Sequence, residues 1–188
     1  MNNHNSPRIP AIDPAAATGA SLPLFAAVKS KLGVVPNLMR TFAQSPAVLE
    51  AYLGFSATLA KGVLPAPVRE QLALAIGEAN GCEYCLSAHT LLGKGAGLAP
   101  DAILAARHGE AADPKAAALL HFANDVVAAR GRVSDEQLAA ARAAGVTDAE
   151  LVEVVAHVAV NTLTNYLNNV AQTVVDFPRA KPLAAAVA

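Results

Sequence analysis

The sequence predicts an all-α protein built around one helical core. Alanine and leucine, which favour helices, are abundant. Apolar residues recur at helical spacing, and no segment shows the sustained alternation typical of a strand. Glycine, asparagine and proline interrupt this pattern at short intervals, as expected for helices joined by tight turns. With 188 residues, 54% of them apolar, the chain is long enough for one substantial core.

The first half of the chain contains five predicted helices, and most have a recognisable start or stop. Gly33 ends the first helix, and an extended connector ending at Pro36 follows it. Ser45 is a typical N-cap, with Pro46 at the first helical position of the third helix. Asn80–Gly81 is a typical C-terminal stop for the fourth helix. The predicted ranges are 22–32, 37–44, 46–61, 65–79 and 82–93.

The second half contains four predicted helices with strong start signals. Asp113–Pro114 combines an N-cap with a proline at the first position. Ser134–Gln137 has the composition of a capping box, and Thr147 with Glu150 three residues later gives a second such start. Gly145 separates these last two helices. The predicted ranges are 100–108, 114–130, 135–144 and 147–174.

The domain organisation follows from these elements. We predict one domain over residues 21–178, a flexible arm over residues 1–20 and a frayed, alanine-rich tail over residues 179–188. Arg69–Ala73 and Asp135–Ala139 share the letters Glu-Gln-Leu-Ala. A duplication into two helical lobes would explain this internal echo, and so would chance in an alanine-rich chain.

Charge and hydropathy exclude several classes of protein. The formal net charge is −1 and no basic run is present, so the sequence offers nothing to neutralise the phosphates of a nucleic acid. Charged or amide residues interrupt every apolar stretch well before the roughly 20 residues that a membrane-spanning helix needs. Met1–Asp13 is polar and proline-marked, unlike a secretory leader. We therefore expect a cytoplasmic protein without membrane or nucleic-acid partners.

The two cysteines, Cys82 and Cys85, are the most informative feature of the sequence. Structural disulfides are rare in the cytoplasm, so a Cys-x-x-Cys pair there is usually redox-active or metal-binding. A structural zinc site needs four ligands, and only His89 lies close enough in sequence to add a third. The pattern favours redox chemistry over a metal site or inert buried thiols.

Helical geometry places these residues together. Cys82, Cys85 and His89 are spaced three and four residues apart and therefore share one face of a helix. The N-terminus of a helix stabilises an anion such as a thiolate, and His89 could accept the thiol proton. If the Asn80–Gly81 turn folds the two helices antiparallel, Glu70 could approach His89 and fix its tautomer.

The pattern Glu-x11-Cys-x2-Cys-x3-His, from Glu70 to His89, resembles the alkylhydroperoxidase D-like branch of the carboxymuconolactone decarboxylase superfamily. It is most similar to the subgroup of peroxidase-related proteins, and the resemblance covers roughly residues 22–178. The flanking segments that share it are Val34–Leu38, Arg69–Gln71, Asn80–Cys82, Asn161–Tyr166 and Asp176–Pro178.

This resemblance implies an alkylhydroperoxidase D-like helical bundle that forms a homotrimer or homohexamer without a metal or organic cofactor. It also implies a thiol-dependent hydroperoxide reductase. Cys85 would be the peroxidatic thiol, Cys82 the resolving thiol, and Glu70 with His89 the proton relay. The resulting disulfide would be reset by an external dithiol, such as a thioredoxin-like or dihydrolipoyl protein.

One position departs from the family pattern. Well-characterised alkylhydroperoxidase D proteins carry histidine immediately before the second cysteine, where this chain has Tyr84. The relay therefore has one titratable group fewer. This difference keeps two alternatives open: a general disulfide oxidoreductase with little peroxidase activity, and a non-catalytic redox-sensing oligomer.

The last predicted helix carries a polar stripe of His157, Asn161, Asn165 and Asn168 at helical spacing. Buried asparagines need hydrogen-bond partners, so the stripe indicates either a network between helices or subunits, or the wall of a pocket. Asn161 and Asn165, together with Tyr84, are the candidate substrate-binding residues.

Overall fold

A computed structural model describes residues 6–183 of the chain. Within this range the backbone forms nine α-helices, one 3₁₀ turn (Pro14–Ala16) and no strand, which confirms the predicted all-α class. The helices are α1 (Ser21–Leu32), α2 (Asn37–Phe42), α3 (Pro46–Leu59), α4 (Ala66–Ala79), α5 (Glu83–Gly95), α6 (Pro100–Arg107), α7 (Pro114–Ala129), α8 (Asp135–Ala143) and α9 (Asp148–Ala171).

Most predicted helix ends agree with the structure to within two or three residues. The capping boxes predicted at Ser134 and Thr147 are both present, with reciprocal hydrogen bonds to the residue three positions on. The Ser45 side chain, predicted as an N-cap, makes no capping hydrogen bond. Helix α9 ends at Ala171 rather than near residue 174, because Gln172 adopts the left-handed conformation with φ 50°.

Helix α4 is the centre of the main core. It packs against α5, α6, α7 and α9. Leu72, Leu74 and Ile76 of α4 are completely buried, as are Leu120 of α7 and Val154 of α9. Burial of each such side chain contributes about 1.5–3 kcal/mol. The central position of α4 gives the residues along it, including Glu70, a rigid support.

A second apolar cluster forms where α1, α2 and α3 meet the start of α5. Cys82 and Cys85 belong to this cluster, whereas Leu86 of the same helix packs in the main core. Helix α5 therefore lies between the two clusters and carries the cysteine pair at their border. The aromatic and aliphatic members that surround the pair are Phe25, Val28, Leu38, Phe42 and Leu49.

The segment that precedes α1 is not a free arm over residues 8–17. The backbone N–H of Arg8 donates to Ala171 O at 2.7 Å, and the N–H of Ile12 donates to Arg40 O at 3.1 Å. The Arg40 Nε in turn donates to Ile12 O at 2.8 Å. The prediction of a flexible arm missed these bonds because they pair backbone groups with distant helices. Residues 1–5 lie outside the described range.

The segment after α9 also makes specific contacts. Ala180 N donates to Ser87 Oγ at 3.0 Å, and Arg107 Nη1 donates to Lys181 O at 2.8 Å. Arg179 forms an ion pair with Glu83. Residues 179–181, predicted to be frayed, are thus bonded to α5 and α6, while residues 184–188 of the predicted tail lie outside the described range.

The two segments of the internal echo occupy different surroundings. Arg69–Ala73 lies on α4 in the middle of the core, and its Gln71 is buried. Asp135–Ala139 opens α8, in which Ala141 is the one buried residue. The two segments do not share a packing arrangement, and the duplication remains a hypothesis.

Helix α9 has an unusual distribution of polarity. Its buried face includes the predicted polar stripe, whereas Val152, Tyr166 and Val170 are more than half exposed. Among the described residues, none of the helices combines the length and apolar character required to cross a bilayer. Helix α9 packs mainly against α4 and α7, and near its end Asn168 reaches Cys85 at the start of α5.

Candidate active site

The turn between α4 and α5 brings the predicted site residues together. Gly81 adopts φ 60°, a left-handed conformation that glycine reaches without strain, and the chain reverses direction there. Helices α4 and α5 consequently pack side by side. Glu70, near the start of α4, then lies level with His89 on α5, as the sequence predicted for an antiparallel pair.

The cysteine pair occupies the first turn of α5. Cys82 is the N-cap residue, and its Sγ accepts a hydrogen bond from the backbone N–H of Cys85 at 3.2 Å. The two residues form a disulfide with a Cα–Cα separation of 5.3 Å, within the ordinary range. Their exposed fractions are 0% and 3%. The sulfurs thus lie at a helix N-terminus, out of contact with bulk water.

Glu70 and His89 form a hydrogen-bonded pair. His89 Nδ1 lies 2.8 Å from Glu70 Oε2, and the side chains are 23% and 21% exposed. When Nδ1–H donates to the carboxylate, Nε2 carries the lone pair and can accept a proton. His89 lies one helical turn after Cys85, so the pair is on the face of α5 that carries Cys85.

A cavity of about 250 Å³ opens beside this pair. Its polar lining includes Glu70, His89, Arg69 and two side chains of α9, His157 and Asn161. The rest of the wall is largely apolar and comes from α3, α4, α5 and α9, with Leu59, Ala73, Leu92 and Val160 as members. Such a combination suits a small organic molecule with one polar end.

His157 is a buried member of this cavity wall that the sequence placed in the polar stripe. It is 7% exposed, and its Nε2 atom has no hydrogen-bond partner among the described residues. Burial lowers the pKa of His157 below its ordinary value, and the positive charge of Arg69 lowers it further. The ring is therefore neutral at physiological pH.

Two members of the polar stripe, Asn165 and Asn168, bond to the α4–α5 turn and to the disulfide and do not line this cavity. Asn165, predicted to bind substrate, is fully buried and its Oδ1 accepts from Asn80 Nδ2 at 2.9 Å. Its contact partner lies in the α4–α5 turn, so the amide supports the turn and lies outside the cavity wall. Asn161 does line the cavity, while its Nδ2 donates to His157 O at 2.9 Å.

Asn168, which the sequence placed in the polar stripe without assigning it to the site, contacts the cysteine pair. Its Nδ2 donates to Cys85 Sγ at 3.3 Å, and the residue is 3% exposed. An N–H donor stabilises a thiolate more than a thiol, because the hydrogen bond to a charged acceptor is stronger. The helical spacing of the stripe was a usable signal for Asn168, but its partner could not be read from the sequence.

Tyr84, the third candidate substrate-binding residue, belongs to a hydrogen-bond network that joins three segments of the chain. Its hydroxyl donates to Asp176 Oδ1 at 2.8 Å and accepts from the backbone N–H of Leu38 at 3.0 Å. Its ring packs edge-on against Phe177. Burial raises the pKa of the Tyr84 hydroxyl above its ordinary value, and Asp176 raises it further. Tyr84 therefore links α2, α5 and the segment after α9.

This network predicts a stability effect for Tyr84→Phe. Removing the hydroxyl leaves Leu38 N and Asp176 without their partner, so we expect the free energy of unfolding to fall by about 1–3 kcal/mol. The melting temperature should fall by a few degrees. The rate of thiol oxidation by hydroperoxide should change less than about 3-fold, because a rate change of that size corresponds to less than about 1 kcal/mol.

The control is Tyr166→Phe, which removes a hydroxyl from an exposed tyrosine on α9 and should leave the melting temperature unchanged. Thermal melting and stopped-flow thiol titration provide the two readouts. A large loss of oxidation rate in Tyr84→Phe at unchanged stability would instead place the hydroxyl in the chemistry.

Among residues 6–183, no group of three or more His, Cys, Asp or Glu side chains is arranged to hold a metal ion. The functional groups of the site are a cysteine pair, a carboxylate–histidine pair and an adjacent cavity. Fold and site together define a class: an all-α protein with a disulfide-forming cysteine pair at a helix N-terminus.

A sequence comparison finds a family model that matches part of the chain. Residues 46–125 match the model of the carboxymuconolactone decarboxylase family. The matched segment contains Cys82, Cys85, Glu70 and His89, so the resemblance predicted from the motif is confirmed for the part of the chain that carries the site. No curated protein matches the chain in sequence.

Solved structures share the whole fold. The alkylhydroperoxidase AhpD core of an uncharacterized peroxidase-related protein from Ralstonia eutropha JMP134 is 27% identical, with a TM-score of 0.81 over 90% of this chain and 92% of that chain. An uncharacterized peroxidase-related protein from Silicibacter sp. TM1040 is 20% identical, with a TM-score of 0.76 over 90% and 93%.

The debrominase Bmp8 has the same fold as well. Its cysteine-to-alanine variant in complex with 2,3,4-tribromopyrrole is 19% identical to this chain, with a TM-score of 0.76 over 89% of this chain and 91% of that chain. At this identity the similarity establishes the architecture alone. The fold of this chain is therefore that of the alkylhydroperoxidase D-like proteins, and the chemistry must be argued from its own residues.

Proposed function

We propose that this protein is a thiol-dependent hydroperoxide reductase that cycles between the Cys82–Cys85 disulfide and the dithiol. The observation that supports this function most strongly is the Glu70–His89 pair, one helical turn from Cys85 and facing a cavity. A dithiol alone would suit many redox roles. A proton relay beside a partly apolar cavity suits a reaction on a small organic substrate.

In the proposed cycle His89 accepts the proton of the Cys85 thiol, and the thiolate attacks the terminal peroxide oxygen. The O–O bond breaks, Cys85 becomes a sulfenic acid, and His89 returns the proton to the alkoxide to give an alcohol. Cys82 then attacks the Cys85 sulfur and water leaves. The disulfide that forms is the one seen in the structure.

The substrate class follows from the cavity wall. Leu59, Leu92 and Val160 provide an apolar surface for an alkyl or aryl group, while Glu70 and His89 mark the polar end. This arrangement favours an organic hydroperoxide over hydrogen peroxide, which has no apolar part to bury.

A general disulfide oxidoreductase is the second candidate, and the geometry of Tyr84 favours it. The Tyr84 hydroxyl is bonded to Leu38 and Asp176, so it cannot replace the histidine that well-characterised alkylhydroperoxidase D proteins carry at this position. With a smaller relay, the dithiol would still exchange with disulfides.

The deciding experiment compares two oxidants on the reduced protein. Stopped-flow thiol titration should show that an organic hydroperoxide oxidises both thiols about 10²-fold or more faster than it oxidises a free cysteine, which is the contribution expected of a proton relay. A model disulfide tested in parallel should be slower. Oxidation by hydroperoxide at the rate of a free cysteine, with fast exchange against the disulfide, would reject peroxidase activity.

Size measurement of the reduced and oxidised protein separates both enzymes from a redox sensor. A catalyst should keep its oligomeric state through the cycle. A change of state on oxidation, without turnover of either oxidant, would instead support a redox-sensing assembly.

A further inference from the structure

Tyr52 on α3 joins the Glu70–His89 cavity to the surroundings of the disulfide. Its side chain lines the cavity. It also packs against the second apolar cluster, which contains Cys82 and Cys85. Among the described residues that line the cavity, no other belongs to this cluster or packs against it. Tyr52 therefore lies at the border between the cavity and the buried sulfurs.

The ring of Tyr52 is held in place by stacking. It lies on Phe42 of α2, with the ring centroids 5.0 Å apart and the ring planes at 17° to each other. Phe42 is itself buried in the cluster that contains the cysteines. A stacked aromatic pair contributes about 0.5–1.5 kcal/mol beyond the burial of its area. The ring thus has a fixed position from which its hydroxyl can act.

The hydroxyl of Tyr52 lies close to polar groups of the cavity wall. Burial raises the pKa of this hydroxyl above its ordinary value, a hydrogen bond with Ser56 partly offsets the rise, and the negative charge of Glu70 adds to it. Ser56 and Glu70 both line the cavity. The hydroxyl end of the ring is therefore on the cavity side, near the carboxylate that bonds to His89.

In this position the hydroxyl stays protonated and serves as a hydrogen-bond donor, not as a base. The bond with Ser56 favours the charged form of the tyrosine, which is the direction expected when Ser56 donates to the tyrosine oxygen. The O–H of Tyr52 is then free to donate into the cavity. The Tyr84 hydroxyl has no such freedom, because it is bonded to Leu38 and Asp176.

We propose that Tyr52 is a further catalytic residue, whose hydroxyl donates a hydrogen bond to the oxygen that leaves when the O–O bond breaks. The proposal rests on the proposed function, because that cycle produces an alkoxide. The leaving oxygen carries the organic group, so it stays on the cavity side while the terminal oxygen reaches the buried sulfur. Negative charge develops on this oxygen in the transition state, and a donor already in place lowers the barrier.

The step balances with Tyr52 unchanged at its end. The Cys85 thiolate attacks the terminal oxygen, the new S–O bond carries the OH group, and the electron pair of the O–O bond moves to the leaving oxygen. That oxygen accepts the hydrogen bond of Tyr52 and takes the proton that His89 removed from Cys85. Cys85 is oxidised by two electrons to a sulfenic acid, and the hydroperoxide is reduced to an alcohol.

The test compares the reduced full-length protein with its Tyr52→Phe variant in single-turnover oxidation, followed by stopped-flow thiol titration. Phenylalanine keeps the ring and its stacking on Phe42 and removes the hydroxyl alone. With tert-butyl hydroperoxide the limiting rate should fall about 10²–10³-fold, the typical effect of losing one donor to a developing oxyanion. The half-saturating concentration should change far less, because the hydrogen bond strengthens in the transition state.

The leaving group distinguishes this role from a structural one. Peracetic acid releases a carboxylate, which carries its charge without help from a donor. Tyr52→Phe should therefore slow oxidation by peracetic acid less than about 3-fold, a change of under about 1 kcal/mol in the barrier. The matched control is Tyr166→Phe, which removes the hydroxyl of an exposed tyrosine outside the cavity and should alter neither rate. Melting curves check that both variants are folded.

Equal losses with the two oxidants would show that the hydroxyl acts through packing and would overturn the role of Tyr52. A Tyr52→Phe variant as fast as the original protein with tert-butyl hydroperoxide would overturn it as well, while the proposed function would stand. The original protein provides the separate test of that function. If it reacts with the hydroperoxide no faster than a free cysteine, the proposed function is rejected and the role of Tyr52 with it.

Discussion

Replacing Cys85 with serine is expected to abolish hydroperoxide consumption. The remaining thiol, Cys82, would react no faster than an ordinary cysteine, so the rate should fall by about 10²-fold or more. No disulfide could form and no second turnover could follow. Stopped-flow thiol titration with an organic hydroperoxide measures the rate, and mass spectrometry of the product counts the oxygens gained. A melting curve checks that the buried serine has not unfolded the protein.

Cys82→Ser is the matched variant, and it should behave differently. Cys85 would still be oxidised at close to the original rate, once, and would stop as a sulfenic acid or become overoxidised. The opposite result, a fast Cys85→Ser and a slow Cys82→Ser, would reverse the two roles.

The structure itself makes the reversed assignment worth testing. Cys82 is the N-cap and accepts the backbone N–H of Cys85, which favours its thiolate. Cys85 accepts the N–H of Asn168 and lies one turn before His89. Because each sulfur has one stabilising donor, the relay decides which of them is the nucleophile, and the relay lies on the side of Cys85.

The centre of the site could be predicted from the sequence because helical geometry fixes it. Spacings of three and four residues place Cys82, Cys85 and His89 on one face of any α-helix. The sequence predicted the antiparallel arrangement only as a condition, and the structure has it, with α5 packed along α4 after the Asn80–Gly81 turn. Glu70 and His89 therefore meet at a separation that the two helix lengths determine.

The outer part of the site could not be predicted, because it depends on packing between segments far apart in the chain. Asn168 contacts Cys85 across 83 positions, and Asp176 contacts Tyr84 across 92. Nothing in the local pattern of either residue encodes its partner. Asn165 and Tyr84 were substrate-binding candidates on polarity alone. In the structure Asn165 Oδ1 accepts from Asn80, and the Tyr84 hydroxyl bonds to Leu38 and Asp176.

The burial of the disulfide has a consequence for catalysis. A sulfur that the protein shields from water is protected from chance oxidation and thiol exchange, but it must become exposed when a reductant reacts with it. Cys82 and Cys85 are 0% and 3% exposed, so a substrate must induce movement around the sulfurs in either half of the proposed cycle.

His89→Ala is expected to slow oxidation by hydroperoxide by about 10²–10⁴-fold, the contribution typical of a positioned general base. The Glu70 carboxylate orients the imidazole through Nδ1, so Glu70→Gln should also slow the reaction, by a smaller factor. His121→Ala is the control, because that histidine is exposed on α7 and contacts neither the pair nor the cavity beside it. Single-turnover oxidation of the reduced protein avoids any limit set by the reductant.

The pH profile distinguishes a lost base from a damaged fold. Without His89 the Cys85 thiol has no base to accept its proton, and the rate of His89→Ala should rise with pH as the thiol ionises, ordinarily near about pH 8.5. At high pH the variant should approach the original protein, since both then carry a full thiolate. A variant that remains equally slow at every pH would show that the ring acts through packing, and the proton relay would have to be abandoned.

A variant as fast as the original protein at neutral pH would place the base elsewhere, and His157 would be the next histidine to replace because it lines the same cavity.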